Sequence, residues 1–193
     1  MVGVLISQLL EMIRQNRGFA IRQKEKIIDR RIEAHEAIIS LSETMMTVAM
    51  SGEISNLPEE IEKPIRGIAI LNNLELFENW WGDVYANCYR KHIWLSPKCL
   101  KELNYIQDYI VNLRIILANL SNEEIKRLSV IVRPDFIAMS GNLRYEAVNY
   151  LSKDAISFKL KDLNGYHKYK KPITEKRLND TRLIKEYASN LNG

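Results

Sequence analysis

Acid–base or metal chemistry in this chain would fall to three histidines, two cysteines and 24 carboxylates. His35 stands in the charged run Glu33-Ala34-His35-Glu36. A zinc-protease helix needs a second histidine four positions after the first, with a glutamate between them as base. Position 39 is Ile39, so that motif is absent. A di-iron bundle needs a glutamate three residues before a histidine. The residues three before His35, His92 and His167 are Ile32, Tyr89 and Asn164. No metal site, cofactor or small-molecule substrate is therefore expected. The eight glycines never come closer than 15 positions, which excludes a glycine-rich phosphate loop, and there is no Gly-x-Ser-x-Gly elbow.

Arg30 and His35, separated by four residues, offer one catalytic idea. Their spacing resembles the short Arg-x(4–6)-His motif of the HEPN family, all-α domains that often act as ribonucleases. The resemblance implies that Arg30 would stabilise phosphate charge while His35 moves the proton of an attacking 2′-hydroxyl. Judged on the residues alone, a five-residue step at 100° per residue sets the two side chains well apart on a helix. His35 then reads as a partly buried side chain at the edge of an apolar face. On the whole the chain is expected to be a non-catalytic protein–protein interaction or scaffold domain, with an RNA-binding or RNA-cleaving all-α domain as the alternative. The run from Arg31 to Ile38, with Asn79-Trp80-Trp81 and Tyr105 to Ile110, also resembles a set of bacterial all-helical proteins. That likeness implies a helical fold and supplies no mechanism.

Two runs interleave bases with aromatics, Arg90-Lys91-His92-Ile93-Trp94 and Tyr166-His167-Lys168-Tyr169-Lys170-Lys171. Surfaces that contact phosphates and bases have this texture, which makes Arg90, Lys91, His92, Lys168, Lys170 and Lys171 candidate anion contacts. The first run reads equally as a basic helix C-terminus complementing the macrodipole, and the second as a solvated linker before Pro172. In Glu78-Asn79-Trp80-Trp81-Gly82-Asp83-Val84-Tyr85, neighbouring indoles 100° apart on a helix cannot both enter one seam. Trp80, Trp81 and Tyr85 are thus candidate interface residues, for a protein partner or for self-association.

The elements that must carry these residues are helices. With 46% apolar and 27% charged residues, only eight glycines and five prolines, the chain has the composition of a globular protein with long elements and few tight turns. From Ile21 to Met50 two adjacent stripes recur at helical spacing. One is Ile21, Ile28, Ile32, His35, Ile39, Met46 and Ala49; the other is Ile27, Ala34, Ile38, Leu41, Met45 and Val48. Asn16 and Gly18 leave room for a break upstream, and Ser51-Gly52 for a C-cap. A loop through Ser55, Asn56 and Pro58 leads to a short acidic helix, and Pro64 restarts the chain. Helical patterns follow over Ile65 to His92, from Ser96-Pro97 to Leu120, and from the capping box Ser121–Glu124 to Arg133. Another runs from Asp135 to Leu163, interrupted at Ser140-Gly141, and the last from Thr174 to Leu191, polar and on the surface. No strand is expected. The prediction is an all-α bundle of five to seven helices with a long N-terminal helix. Its bundle domain would span 1–165, with a basic linker and C-terminal surface helix over 166–193.

Charge is unevenly spread. Arg14 to Arg31 holds seven basic residues against two acidic, and so does Lys159 to Arg177; Glu53 to Asp83 holds two basic against seven acidic. A net charge of +4 is too small to imply nucleic acid by itself. Two cysteines fit a reduced, cytoplasmic protein. Met1 to Leu10 is apolar apart from Ser7 and Gln8 and is followed by Arg14 and Arg17. Residues 1–17 accordingly read as the first turns of a core helix or, alternatively, as a peripheral attachment to a membrane surface.

Overall fold

The computed structural model describes residues 2–50, 65–154 and 167–191. In chain order they form α1 (Val2–Met46), the short strands β1 (Val48–Met50) and β2 (Arg66–Ile68), and a 3-10 turn (Ala69–Leu71). Next, α2 (Leu74–Asn79) passes through a π-helical segment (Trp80–Tyr85) directly into α3 (Ala86–Arg90), followed by a 3-10 turn (His92–Trp94). The remainder is α4 (Pro97–Leu117), α5 (Asn122–Ile131), α6 (Arg133–Lys153), α7 (Lys171–Asn179) and α8 (Arg182–Leu191). With α2 and α3 counted as one rod, the described residues give seven helices, an all-α bundle with a long N-terminal helix.

At 1.5 Å per residue α1 is about 67 Å long. Asn16 and Gly18 do not break it, and it ends at Met46, short of the expected Met50. The last residues of that stretch are instead extended, Val48, Ala49 and Met50 pairing antiparallel with Ile68, Gly67 and Arg66. This small sheet corrects the expectation of no strand, and it moves the next helix start from Ile65 to Leu74. There Asn73 caps, its side-chain oxygen accepting from the Leu76 N–H at 2.8 Å. The expected cap at Ser51-Gly52, the loop through Ser55 and Pro58, the restart at Pro64, and the helix end at Leu163 lie outside the described residues.

The other caps follow the sequence closely. Ser96 accepts from the Cys99 N–H with Pro97 opening α4, and Ser121 and Glu124 form a reciprocal capping box on α5. The expected break at Ser140-Gly141 is absent, and α6 runs straight through it. The Ser140 hydroxyl donates to the Ile137 carbonyl at 3.0 Å, inside the helix. Gly141 is exposed there, and its cost of about 1 kcal/mol in a helix interior is offset by the packing of the rest of α6.

The core centres on α4, where Leu103, Ile106, Tyr109, Ile110 and Leu113 are all fully buried. Against it lie Ala34, Ile38, Leu41 and Met45 of α1, Phe136, Met139, Leu143 and Ala147 of α6, and Phe77, Trp80 and Tyr85 of the α2–α3 rod. The C-terminal segment, expected as one polar surface helix, is two helices divided at Asp180–Thr181, and α8 sends Leu183 into the core. The cause is a long-range cap. The buried carboxylate of Asp135 on α6 accepts from the N–H groups of Arg182 (2.9 Å) and Leu183 (3.0 Å) and from the Tyr109 hydroxyl (3.1 Å). Those two backbone donors belong to the first turn of α8, which has no carbonyl of its own to bind them. Asp135→Ala should therefore lower stability by about 2 kcal/mol in urea titration and expose α8 amides to faster hydrogen exchange.

Candidate functional site

His35 sits one turn into the buried stretch of α1, which starts at Arg31, and its surroundings hold both ring nitrogens. Nε2 accepts from the backbone N–H of Ser96 at 3.1 Å, which fixes the tautomer and leaves the proton on Nδ1. Nδ1 then donates to the Arg31 carbonyl one turn back, at 2.7 Å. The ring stacks on Tyr150 of α6 with centroids 3.9 Å apart. Burial pushes the imidazole from 6.5 down to about 4, and the nearby Arg31 charge adds to this against the backbone bond to Arg31. His35 is a neutral clasp joining α1, the start of α4, and α6. Neither nitrogen is available for proton transfer in this arrangement.

Arg30 does not share its cleft. Its side chain is 66% exposed and paired with Glu33 at 3.3 Å. The arginine beside His35 is Arg31, which is 2% exposed and lies with its guanidinium carbon 4.8 Å from the Tyr150 ring centre. Arg31 carries no apolar signal in the sequence; only its place one turn before His35, on the same face, marks it.

The paired tryptophans are divided as helix geometry requires, with the roles set by the π segment. Trp80 is buried and donates its indole N–H to the Thr44 hydroxyl of α1 at 2.9 Å. Tyr85 is buried too, its hydroxyl donating to the Leu103 carbonyl at 3.1 Å. Trp81 is half-buried and stacks on Tyr85 at 4.3 Å. Two of the three interface candidates are thus core residues, and only Trp81 presents surface.

The basic candidates do not converge either. Lys91 pairs with Glu33 (2.8 Å), Lys168 with Asp108 (2.8 Å) and Lys171 with Glu175 (3.6 Å). Arg90 donates to the Asn87 side chain at 3.1 Å. The half-buried His92 ring bonds the Tyr89 carbonyl through Nδ1 and stacks on Tyr89. Lys170 is exposed just before α7. Tyr166 lies outside the described residues.

A polar cluster that the sequence did not announce joins α4 to α7. Arg177 grips the buried carboxylate of Glu102 with two hydrogen bonds of 3.1 and 2.8 Å. The Tyr169 hydroxyl donates to the same carboxylate. The guanidinium lies between two rings, 3.9 Å from the centre of Tyr105 and 4.9 Å from that of Tyr169. Beside it an open cleft of about 240 Å³ is lined by Tyr105, Asp135, Met139, Asn142, Arg177 and Thr181, among others. Of the charged groups that border it, Arg177 and Asp135 are already spent on Glu102 and on the α8 cap, and Asp180 is exposed to solvent, so the cluster is a clamp. Among the described residues no group of three or more His, Cys, Asp or Glu side chains is placed to hold a metal ion.

The N-terminal part of α1 is of another kind. Every described side chain from Glu11 to Lys26 is exposed, with Gly18 half-buried between them, whereas from Arg31 onward the same helix is core. Met12, Phe19 and Ile21 are 56%, 59% and 59% exposed. This arm is about 24 Å of helix whose described side chains are exposed. No family model, curated protein or solved structure matches the chain.

Proposed function

We propose that this chain is a non-catalytic helical interaction module, and that the arm of α1 is the part it offers to an anionic partner. The observation that carries this is the change of state along one helix, from exposed at every described side chain between Glu11 and Lys26 to core from Arg31. Helices of this length are marginal in water without tertiary packing, and Gly18 weakens this one further. Large apolar side chains at Met12, Phe19 and Ile21 add uncovered surface that gains by being covered. Five basic residues against two acidic ones between Glu11 and Lys26 set the sign of what covers them. The commitment of both His35 nitrogens supports the non-catalytic half of the reading.

Removing residues 2–26 should leave the bundle's melting profile within about 0.5 kcal/mol of the intact chain, because nothing described there is core. In the host cell the intact chain should sediment with large or particulate material, and the shortened chain should remain in the supernatant. The same distribution for both chains would overturn the proposal.

A further inference from the structure

Resting on that reading, we infer that the α1 arm binds the surface of a bilayer containing anionic phospholipid. At 100° per residue, Met12, Asn16, Phe19, Ala20 and Gln23 fall in one charge-free sector about 100° wide. Arg22 and Lys26 stand on one side of that sector, and Arg17 and Lys24 on the other. This is the arrangement of a helix lying in the interfacial plane, with apolar groups toward the acyl chains and long cationic side chains reaching back to the headgroups on both flanks. Phe19 and Met12, seven residues apart and each more than half exposed, are its apolar contacts, while Ile21 lies on the opposite side of the helix.

The sequence before the arm points the same way. Val2 to Leu10 contains no charged residue, and α1 is already helical there. No helix among the described residues is long and apolar enough to cross a membrane, and the contact inferred for the arm is with one face. A second copy of the arm is a poor occupant, since it would bring five more cations against these five. RNA would satisfy the cations and leave the exposed Met12 and Phe19 uncovered.

The test is co-sedimentation of the full chain with vesicles of pure phosphatidylcholine and of phosphatidylcholine mixed with phosphatidylglycerol. Binding to the mixed vesicles alone is expected, strong at about 0.05 M salt and largely lost at about 0.5 M as the charges are screened. Arg17→Gln and Lys24→Gln should each weaken it about fivefold, and Phe19→Ser about tenfold. Lys153→Gln, on the bundle, should leave binding unchanged. All four substitutions are at exposed positions, and unchanged circular-dichroism melts establish that the fold is intact. Equal binding to both vesicle types would overturn the inference, as would tighter binding to a single-stranded RNA oligonucleotide than to anionic vesicles. Binding to neither vesicle, with sedimentation in the cell still dependent on residues 2–26, would overturn the lipid assignment and leave the interaction module standing.

Discussion

Arg177→Ala is expected to cost the bundle about 3–5 kcal/mol, more than any apolar surface change, with a melting temperature lower by about 10 °C. The reason is the state of the partner it leaves. The Glu102 side chain is 7% exposed, and without the guanidinium its carboxylate keeps a hydrogen bond from Tyr169 but no counter-charge. Water reaches it poorly, so the charge must be buried unpaired, or be protonated, or be exposed by lifting α7. Arg177 also fills the space between Tyr105 and Tyr169, so its loss removes packing as well as charge. Replacing both members, Glu102→Leu with Arg177→Leu, should recover much of the loss, because the damage lies in the orphaned charge rather than in the absence of attraction. Thermal and urea melts of the three variants decide the matter. A loss below about 1 kcal/mol in Arg177→Ala would mean that the pair behaves as a solvent-screened surface bridge.

Acid should unfold this protein through His35. Its folded value of about 4 lies below the ordinary 6.5, so the unfolded chain takes up the proton first as pH falls. Stability contributed by the neutral ring is complete above pH 6.5 and is lost on the way down to pH 4, where the loss reaches about 3 kcal/mol. Protonation would put a hydrogen on Nε2, facing the Ser96 N–H it now accepts from, and would place a second cation beside Arg31. His35→Gln removes the titrating group, and the difference between the two stability–pH curves isolates its share from that of the carboxylates. Curves that run parallel between pH 7 and 4 would contradict the neutral-clasp assignment. At neutral pH His35→Ala should cost about 3 kcal/mol, since it strands the buried Ser96 N–H and opens a cavity against Tyr150.

Local signals carried far in this chain, and pairings between distant residues did not. The Ser96 and Ser121 caps could be read from four or five letters each, because donor and acceptor are neighbours in the sequence. The stripe Ala34, Ile38, Leu41, Met45 marked the core face of α1 by its period. The pairing of Val48–Met50 with Arg66–Ile68 left no such trace, since a three-residue strand is too short to show alternation. Asp135 bonds to α8 across 47 positions and Glu102 to Arg177 across 75, and neither residue looks unusual where it stands. The Arg30/His35 spacing was visible, but the side chains at its two ends face solvent and core respectively. The arm was half legible. Its bases and apolar letters are plain in the sequence, and only the structure shows that the bundle leaves them uncovered.

The π segment bears on how the α2–α3 rod can vary. Such a segment is what a helix becomes when one residue is added without rebuilding its ends. In an unbroken α-helix the inward step of four from Trp80 would fall on Val84. With the wider turn the step is five and falls on Tyr85, whose ring supports Trp81 and whose hydroxyl reaches the Leu103 carbonyl. A relative one residue shorter between Asn79 and Ala86 would present a different side chain to α4 without any point substitution. Aligned letter by letter, the two chains would show a gap where the physical change is a rotation.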